Sequence, residues 1–543
     1  MSARADRPGV LWEITGRWCL LSDTHVGAAQ VVPRHAAQSD VDLHLDRDPR
    51  TGAPRLRATT LAGLLRHGLA ARVGDPARVS ELFGAAEGDG RAPRASAVEI
   101  DDAFGRLPEG AGVAVRTGTR VDPAAGTVLP GLLWQWEVLP AGTVFVVHLR
   151  LRVAVPADEA RLLTLMALAV EGVGGAGPGT RVGGRTGRGH GSVRATHWAV
   201  RRLDLGDEHD WFAHHGRSWE ERWRAGEDAL AEASADLSVA LARELRAKDR
   251  AGTAAHLAAR VAGPDRRRRA ELRLVLAVAE RTDPLTAPSG DLRPGLLSIG
   301  DAPTGDRLGE VDRAHRERPV VEDPDKGGVR IAPVLGDTAL FALVKRIAAR
   351  SVRDAAEALG DADPGRRQAW YDHWWGADTG AREAVPRPSR VRLRTVPVIT
   401  GGAVLTATRM TVDSLFGDAV DGRLFTDDLQ CGGVAEVVFD IDDPDDAIRG
   451  LCALVVRDLA TVPFDTVGAG AGVGHGRVSA VRAELVTITG DRAPDRVDLL
   501  DASFAPDGAD AEVVRGWVAA LRALLSPEPD REDGTSRGKG GGP

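Results

Sequence analysis

Gly187-Arg-Gly-His-Gly-Ser-Val193 and Gly472-Val-Gly-His-Gly-Arg-Val478 both read G-x-G-H-G-x-V, and each follows a helix-like apolar stretch. One lies late in the first half of a 543-residue chain, the other late in the second half. Self-similarity at this distance organises the whole reading. Further landmarks precede each turn in the same order. Arg116-Thr-Gly-Thr-Arg-Val-Asp122, which includes Arg120, pairs with Arg409-Met-Thr-Val-Asp413; in both, a polar turn separates two extended stretches and predicts a hairpin. Before the hairpins stand two apolar helices with a basic end, Thr60-Leu-Ala-Gly-Leu-Leu-Arg66 and Ala339-Leu-Phe-Ala-Leu-Val-Lys345. Earlier still, each half opens on a β-like run ending in Asp23 or Asp283.

Each half thus reads strand, loop, helix, hairpin, strands, helix, glycine turn, strand. That order predicts an α+β fold of two tandem ferredoxin-like domains, each a four-stranded antiparallel sheet with two helices on one face. The boundaries are a first domain over 1–205, a helical connector over 206–265, a second domain over 266–525 and a tail over 526–543. The connector, with Trp219-Glu-Glu-Arg-Trp223, is rich in Ala, Glu, Leu and Arg and poor in breakers. The tail is Pro, Asp, Gly and Ser rich and cannot support a core, so disorder is expected there.

A net charge of −8 excludes a uniformly basic nucleic-acid coat but leaves room for a local basic groove. Three cysteines, Cys19, Cys431 and Cys452, are too scattered for a disulfide framework or a zinc clip. The opening Met-Ser-Ala-Arg-Ala-Asp has no apolar signal core, and the apolar runs are too short to span a bilayer. The expectation is a cytoplasmic protein without membrane contact.

Alternating glycines let backbone N–H groups approach a ligand closely. The first turn gathers Arg181, Arg185 and Arg188 around Gly187, Gly189, His190 and Gly191 with no acid between them, a cationic patch suited to phosphate. The second turn, with Gly474, His475 and Gly476, has only Arg477 nearby. The plainer reading is a tight helix-to-strand turn with solvated arginines, and for the histidines a bond to backbone or phosphate rather than general-base work.

Leu56-Arg-Ala-Thr-Thr-Leu-Ala-Gly-Leu-Leu-Arg66, the hairpin from Arg116 to Glu137 and the turn ending at Val193 resemble signatures of the RAMP superfamily, the RNA-binding subunits of CRISPR effector complexes. The resemblance covers about residues 8–200 well and about 270–490 more loosely. It is nearest to the backbone subunit of type III complexes, here as two copies in one chain. It implies RRM-like folds that bind guide RNA along a filament, a hairpin thumb wedged into the guide–target duplex, and other effector subunits as partners. No aromatic RNP motif is present, so RNA contact would rest on backbone and basic groups: Arg66, Arg116, Arg120, the two glycine turns, Lys345 and Arg409.

The resemblance also places a target-cleaving aspartate, acting with a divalent metal, in the loop before the first helix. Asp42-Leu-His-Leu-Asp-Arg-Asp48 fits the spacing, making Asp42 the catalytic and metal-binding candidate, with Mg²⁺ or Mn²⁺ as the ion and Asp40 as the nearest rival. An alternating acidic run is otherwise an ordinary solvated loop. In the second half, Glu317-Arg-Pro-Val-Val-Glu-Asp323 corresponds, with Glu317 at the acid's position and Asp312 as a possible substitute; the expectation is a weak or inactive second site. The rival functions are a non-catalytic RNA-binding scaffold and a metal-independent guide-processing endoribonuclease with a histidine base.

Overall fold

The computed structural model describes residues 9–27, 41–85, 93–121, 128–174, 179–261, 267–282, 291–360, 363–377, 387–461, 465–490 and 492–526. Asp40 and the tail beyond Ser526 lie outside them.

The first half begins with β1 (Val10–Leu20), followed by α1 (Ala58–Val73), β2 (Val98–Ile100), β3 (Ala103–Arg106), the hairpin β4 (Ala114–Val121) and β5 (Val128–Val138), β6 (Val144–Val153), α3 (Glu159–Val170) and β7 (Val193–Asp204); a short α2 (Pro76–Phe83) follows α1. Strands β2 and β3 pair with β6, β6 with β1, and β1 with β7, all antiparallel. Period-2 alternation sets the two faces of β6. Phe145, Val147, Leu149, Leu151 and Val153 are buried in one core with Leu61, Leu65 and Leu69 of α1 and Leu162 and Met166 of α3. Thr15 of β1, His148 and Arg150 belong to the opposite face.

Helices α4 (Glu208–His215), α5 (Trp219–Ala229), α6 (Leu237–Ala247) and α7 (Ala251–Val261) then join the halves. Their starts carry the usual signals: Asp207, Ser218 and Asp236 cap α4, α5 and α6, the second as a reciprocal box with Glu221. Helix α5 lies across the face of the first sheet that α1 and α3 leave open. Trp223 stacks on His148 at 4.6 Å, and the Arg150 guanidinium sits 3.8 Å from the Trp219 ring.

In the second half β8 (Arg268–Ala277), α8 (Asp337–Leu359), α9 (Pro364–Trp375), β9 (Val391–Leu393), β10 (Ile399–Thr400), the hairpin β11 (Ala403–Val412) and β12 (Ala419–Cys431), β13 (Val434–Asp442), α10 (Asp446–Ala460) and β14 (Ser479–Thr489) follow in turn. Strands β9 and β10 pair with β13, β13 with β8, and β8 with β14, the order found in the first sheet. Strand β15 (Asp495–Asp498) extends the far edge, and α11 (Leu499–Phe504) and α12 (Ala509–Leu525) close the core beside α10. Registers agree in detail. Ala195 lies opposite Trp18 and Ala480 opposite Leu276, each followed by a one-residue bulge. No helix is long and apolar enough to cross a membrane among the described residues.

His148 carries a pH prediction. Burial, with Arg150 adding to it, lowers its pKa to about 4, so it docks neutral. The unfolded chain takes up a proton near pH 6.5 and the folded chain does not. Stability from this site is therefore complete above about pH 6.5 and is lost as pH falls toward 4, by about 1–3 kcal/mol. Thermal melts of wild type and His148→Gln between pH 7 and 4.5 should converge with acidification if His148 carries this term.

Candidate active site and joint between the halves

The acidic loop of the first half separates into three chemically different carboxylates. Asp46 is buried and ion-paired with Arg55 at 2.9 Å and with Arg57; burial would raise its pKa, but the two guanidiniums hold it below the usual carboxylate range. Asp48 shapes a turn by accepting from the Thr51 hydroxyl at 2.6 Å and the Arg50 N–H at 3.1 Å. Asp42 is exposed, and its Oδ2 accepts the Gln135 N–H at 2.7 Å while its own N–H donates to the Gln135 carbonyl at 3.0 Å. Its Oδ1 has no hydrogen-bond partner among the described residues. Two residues on, Glu137 accepts from Leu45 N–H at 2.8 Å and Arg47 at 3.1 Å. Asp42 is thereby fixed at the base of the β4–β5 hairpin.

The second half repeats this contact at Asp312. Its N–H donates to the Thr426 carbonyl at 2.7 Å, and its Oδ2 accepts the Thr426 N–H at 2.7 Å. Leu43 bridges Trp136 in parallel, and Arg313 bridges Asp427 the same way. The correspondence expected for Glu317 is therefore corrected: Asp312 holds the position of Asp42. Glu317 is exposed and starts the strand Glu317–Asp323, paired with Gly328–Pro333. This longer hairpin begins after the equivalent loop residues, so the sequence likeness of Glu317–Asp323 falls beyond the spatial match.

The hairpins are also displaced relative to the sequence match. Arg116 lies opposite Trp136, whereas Arg409 lies opposite Phe425, two residues away from Asp427, the counterpart of Trp136. Arg116 donates to buried Asp23 at 2.7 Å, and Arg409 pairs with Asp427. Arg120 is in β4. Arg66 is half-buried on α1, and Lys345 of α8 donates to the Trp375 carbonyl at 3.2 Å.

The two glycine turns occupy the same topological point. Val182 N–H donates to Gly191 O and Val467 N–H to Gly476 O, both at 2.8 Å. Gly191 and Gly476 have φ of +76° and +84°, and a Cβ on either would collide with the carbonyl of Val182 or Val467. Gly191→Ala and Gly476→Ala should each destabilise the chain by about 1–3 kcal/mol, read as a lowered melting transition.

The first turn is not an open cradle for phosphate; it is seated on the second half. Leu393 N–H donates to Gly187 O at 3.0 Å, and the Gly189 backbone packs against Thr395. Arg181 pairs with Asp440 at 3.3 Å, both side chains nearly inaccessible. His190 Nε2 lies 2.5 Å from Asp337 Oδ2 at the start of α8. Arg185, at φ +59°, has its guanidinium 3.5 Å from the Trp136 ring. Burial lowers the pKa of Arg188 as well. Asp337 and Asp440, the acids beside this patch, lie far from it along the chain, and nothing near the turn in the sequence points to them. The second turn differs: Ala471, Gly472, Val473 and Gly474 are exposed, while His475 is buried with no hydrogen-bond partner for its Nδ1 among the described residues.

Among the described residues no group of three or more His, Cys, Asp and Glu side chains is placed to hold a metal ion. A single exposed carboxylate still suits Mg²⁺, which keeps several waters and commonly takes one or two carboxylates plus substrate phosphate oxygens. Hairpin β11–β12 ends in exposed apolar groups: Leu415 and Phe416 are 81% and 80% accessible, with Met410 and Leu424 also exposed. These side chains gave no sequence signal, since an apolar residue in a turn is indistinguishable from one that packs. No curated protein matches the chain. Residues 20–194, from the end of β1 to the start of β7, match the family model of the RAMP superfamily.

Proposed function

We propose that the chain is a guide-RNA-binding backbone subunit of a type III CRISPR effector complex, built from two tandem ferredoxin-like RAMP domains over 1–205 and 266–525, and that it cleaves complementary target RNA. The observation that carries this reading is the duplicated placement of Asp42 and Asp312, each an exposed carboxylate locked by the same pair of backbone bonds to the base of a projecting hairpin. The RAMP match over 20–194 supports the RNA-binding class for the first of these sites.

The residues have separable tasks. The tip of the second hairpin, with Leu415 and Phe416 exposed, would wedge between base steps and splay the duplex, as apolar side chains do when they unstack nucleic acid; the tip of the first lies outside the described residues. Asp42 and Asp312 would then face the displaced backbone. A Mg²⁺ or Mn²⁺ bound there would neutralise charge developing on the scissile phosphate. Each aspartate would hold that ion through its unshared oxygen and orient the neighbouring 2′-hydroxyl for in-line attack on phosphorus. The 2′-proton would pass to solvent as the bond to the next nucleotide's 5′-oxygen breaks and that oxygen takes a proton, leaving a 2′,3′-cyclic phosphate. Bonding of Oδ2 to the hairpin fixes the carboxylate before substrate arrives, which favours reaction because little remains to be ordered.

Guide and target contacts along the backbone carry no sequence information, which suits a subunit that must accept any guide. The test is cleavage of a labelled complementary RNA by the assembled complex with Mg²⁺, resolved to single nucleotides. Two cuts, one opposite each hairpin, are expected. Retained RNA binding with no cut would leave the scaffold reading, and cutting in EDTA would favour the histidine mechanism.

A further inference from the structure

The contact between the halves is head-to-tail: the glycine turn of the first is seated on the β9–β13 face of the second. Such a heterologous contact joins two different surfaces and can propagate wherever a free turn meets a free receiving face. Among the described residues the turn of the second half is uncovered, with Val473 63% accessible. The receiving face of the first half is not.

Register identifies that face. Asp440, which takes Arg181, lies opposite Glu271 of β8; Arg150 lies opposite Glu13, the counterpart of Glu271 in β1. The flanking charges are inverted. Asp440 pairs with Arg394, whereas Arg150 pairs with Glu99 at 3.3 Å and Asp101 at 3.2 Å. Over Arg150, where the second half receives Arg181, the first half carries Trp219 of α5. The same helix supplies Trp223 to His148, Arg222 to Glu13 at 3.6 Å, and Glu227 to Arg106 at 3.6 Å. His214 of α4 adds a contact to Glu13 at 3.4 Å.

We propose that α4 and α5 are a built-in cap: they occupy the first half's receiving face, so the chain forms the end of a head-to-tail array on that side and does not polymerise with itself. Terminal repeats of stacked proteins are closed by the same logic. The proposal rests on the packing of the two halves and is independent of whether Asp42 or Asp312 cleaves RNA.

The experiment is light scattering of the full chain over a range of micromolar concentrations. Wild type should remain monomeric. Trp219→Asp with Trp223→Asp removes the cap; Thr466 precedes Val467 as Arg181 precedes Val182, so adding Arg150→Asp and Thr466→Arg creates between chains an equivalent of the Arg181–Asp440 pair. The uncapped, re-paired chain should show a concentration-dependent rise of about twofold or more in weight-average mass. Val473→Asp should return it to monomer. If the tryptophan variant does not fold, Arg222→Glu with Glu227→Arg loosens the cap through its charges alone. A reversible control is Thr15→Cys with Gly226→Cys, since a Cβ at 226 would lie 3.3 Å from that of Thr15, near the disulfide range of about 3.5–4.5 Å. Oxidation should hold α5 down and keep the chain monomeric; reduction should release assembly. The proposal is overturned by a folded, uncapped and re-paired chain that stays monomeric, by wild type that polymerises, or by assembly indifferent to Val473→Asp or to the lock.

Discussion

Asp42→Ala should abolish the cut opposite the first hairpin, by about 10²- to 10³-fold in rate, and leave the cut opposite the second intact. Asp312→Ala should do the reverse. The symmetry of the expectation follows from the equivalent backbone bonds at the two positions, to Gln135 and to Thr426. Both carboxylates are exposed, so neither substitution opens a cavity, and guide and target affinities should be unchanged. Glu317→Ala should leave both cuts alone, because Glu317 belongs to the longer hairpin beyond the site. Asp42→Asn is the sharper control. It keeps an oxygen for the Gln135 N–H but removes the charge, so lost cutting would assign the effect to electrostatics rather than to hairpin position. Product ends from the two sites should be identical if one mechanism serves both. A chain whose second cut survives Asp312→Ala and vanishes with Glu317→Ala would defeat the spatial assignment.

The duplication was legible because glycine turns and helix faces are fixed by local rules. A left-handed residue pressed against a carbonyl must be glycine, and Gly191 and Gly476 advertise themselves on that ground. The apolar spacing of Leu61, Leu65 and Leu69 likewise announces a helix with one buried face. Hairpin register was not legible. Arg116 and Arg409 looked equivalent by residue type, yet cross-strand pairing depends on the turn and on what the hairpin base touches. The Glu317 segment failed for a related reason: a likeness in residue pattern cannot reveal that the matching loop positions have already been used five residues earlier. The arginine patch failed differently. Its lack of nearby acids in sequence read as free charge, while the acids that neutralise it, Asp337 and Asp440, come from another part of the fold.

Asp337→Ala should be the most damaging single change at the joint, costing about 3–5 kcal/mol, because it strips a buried histidine of its partner and leaves a polar ring in the interface. Asp337 sits at the first position of α8, where the helix N-terminus favours negative charge. Burial opposes ionisation there, but the His190 hydrogen bond and charge and the Thr338 N–H overcome it, holding the carboxyl below its ordinary range. The sign for stability follows. The unfolded chain protonates this group first as pH falls, so the joint is fully stabilised above about pH 4 and weakens as pH drops below it. His190→Ala should cost less than Asp337→Ala, since the remaining carboxylate keeps the helix terminus and the Thr338 N–H. The double substitution should cost less than the sum of the two, because the second change removes a group already orphaned by the first. Thermal melts of the four chains give the cycle, and Arg181→Ala measured beside it reports the second pair, with Asp440, under the same solvent conditions. Additive losses from His190 and Asp337 would mean that the two side chains stand together without interacting, and the joint would then have to be held by the Gly187 to Leu393 backbone bond and by packing alone.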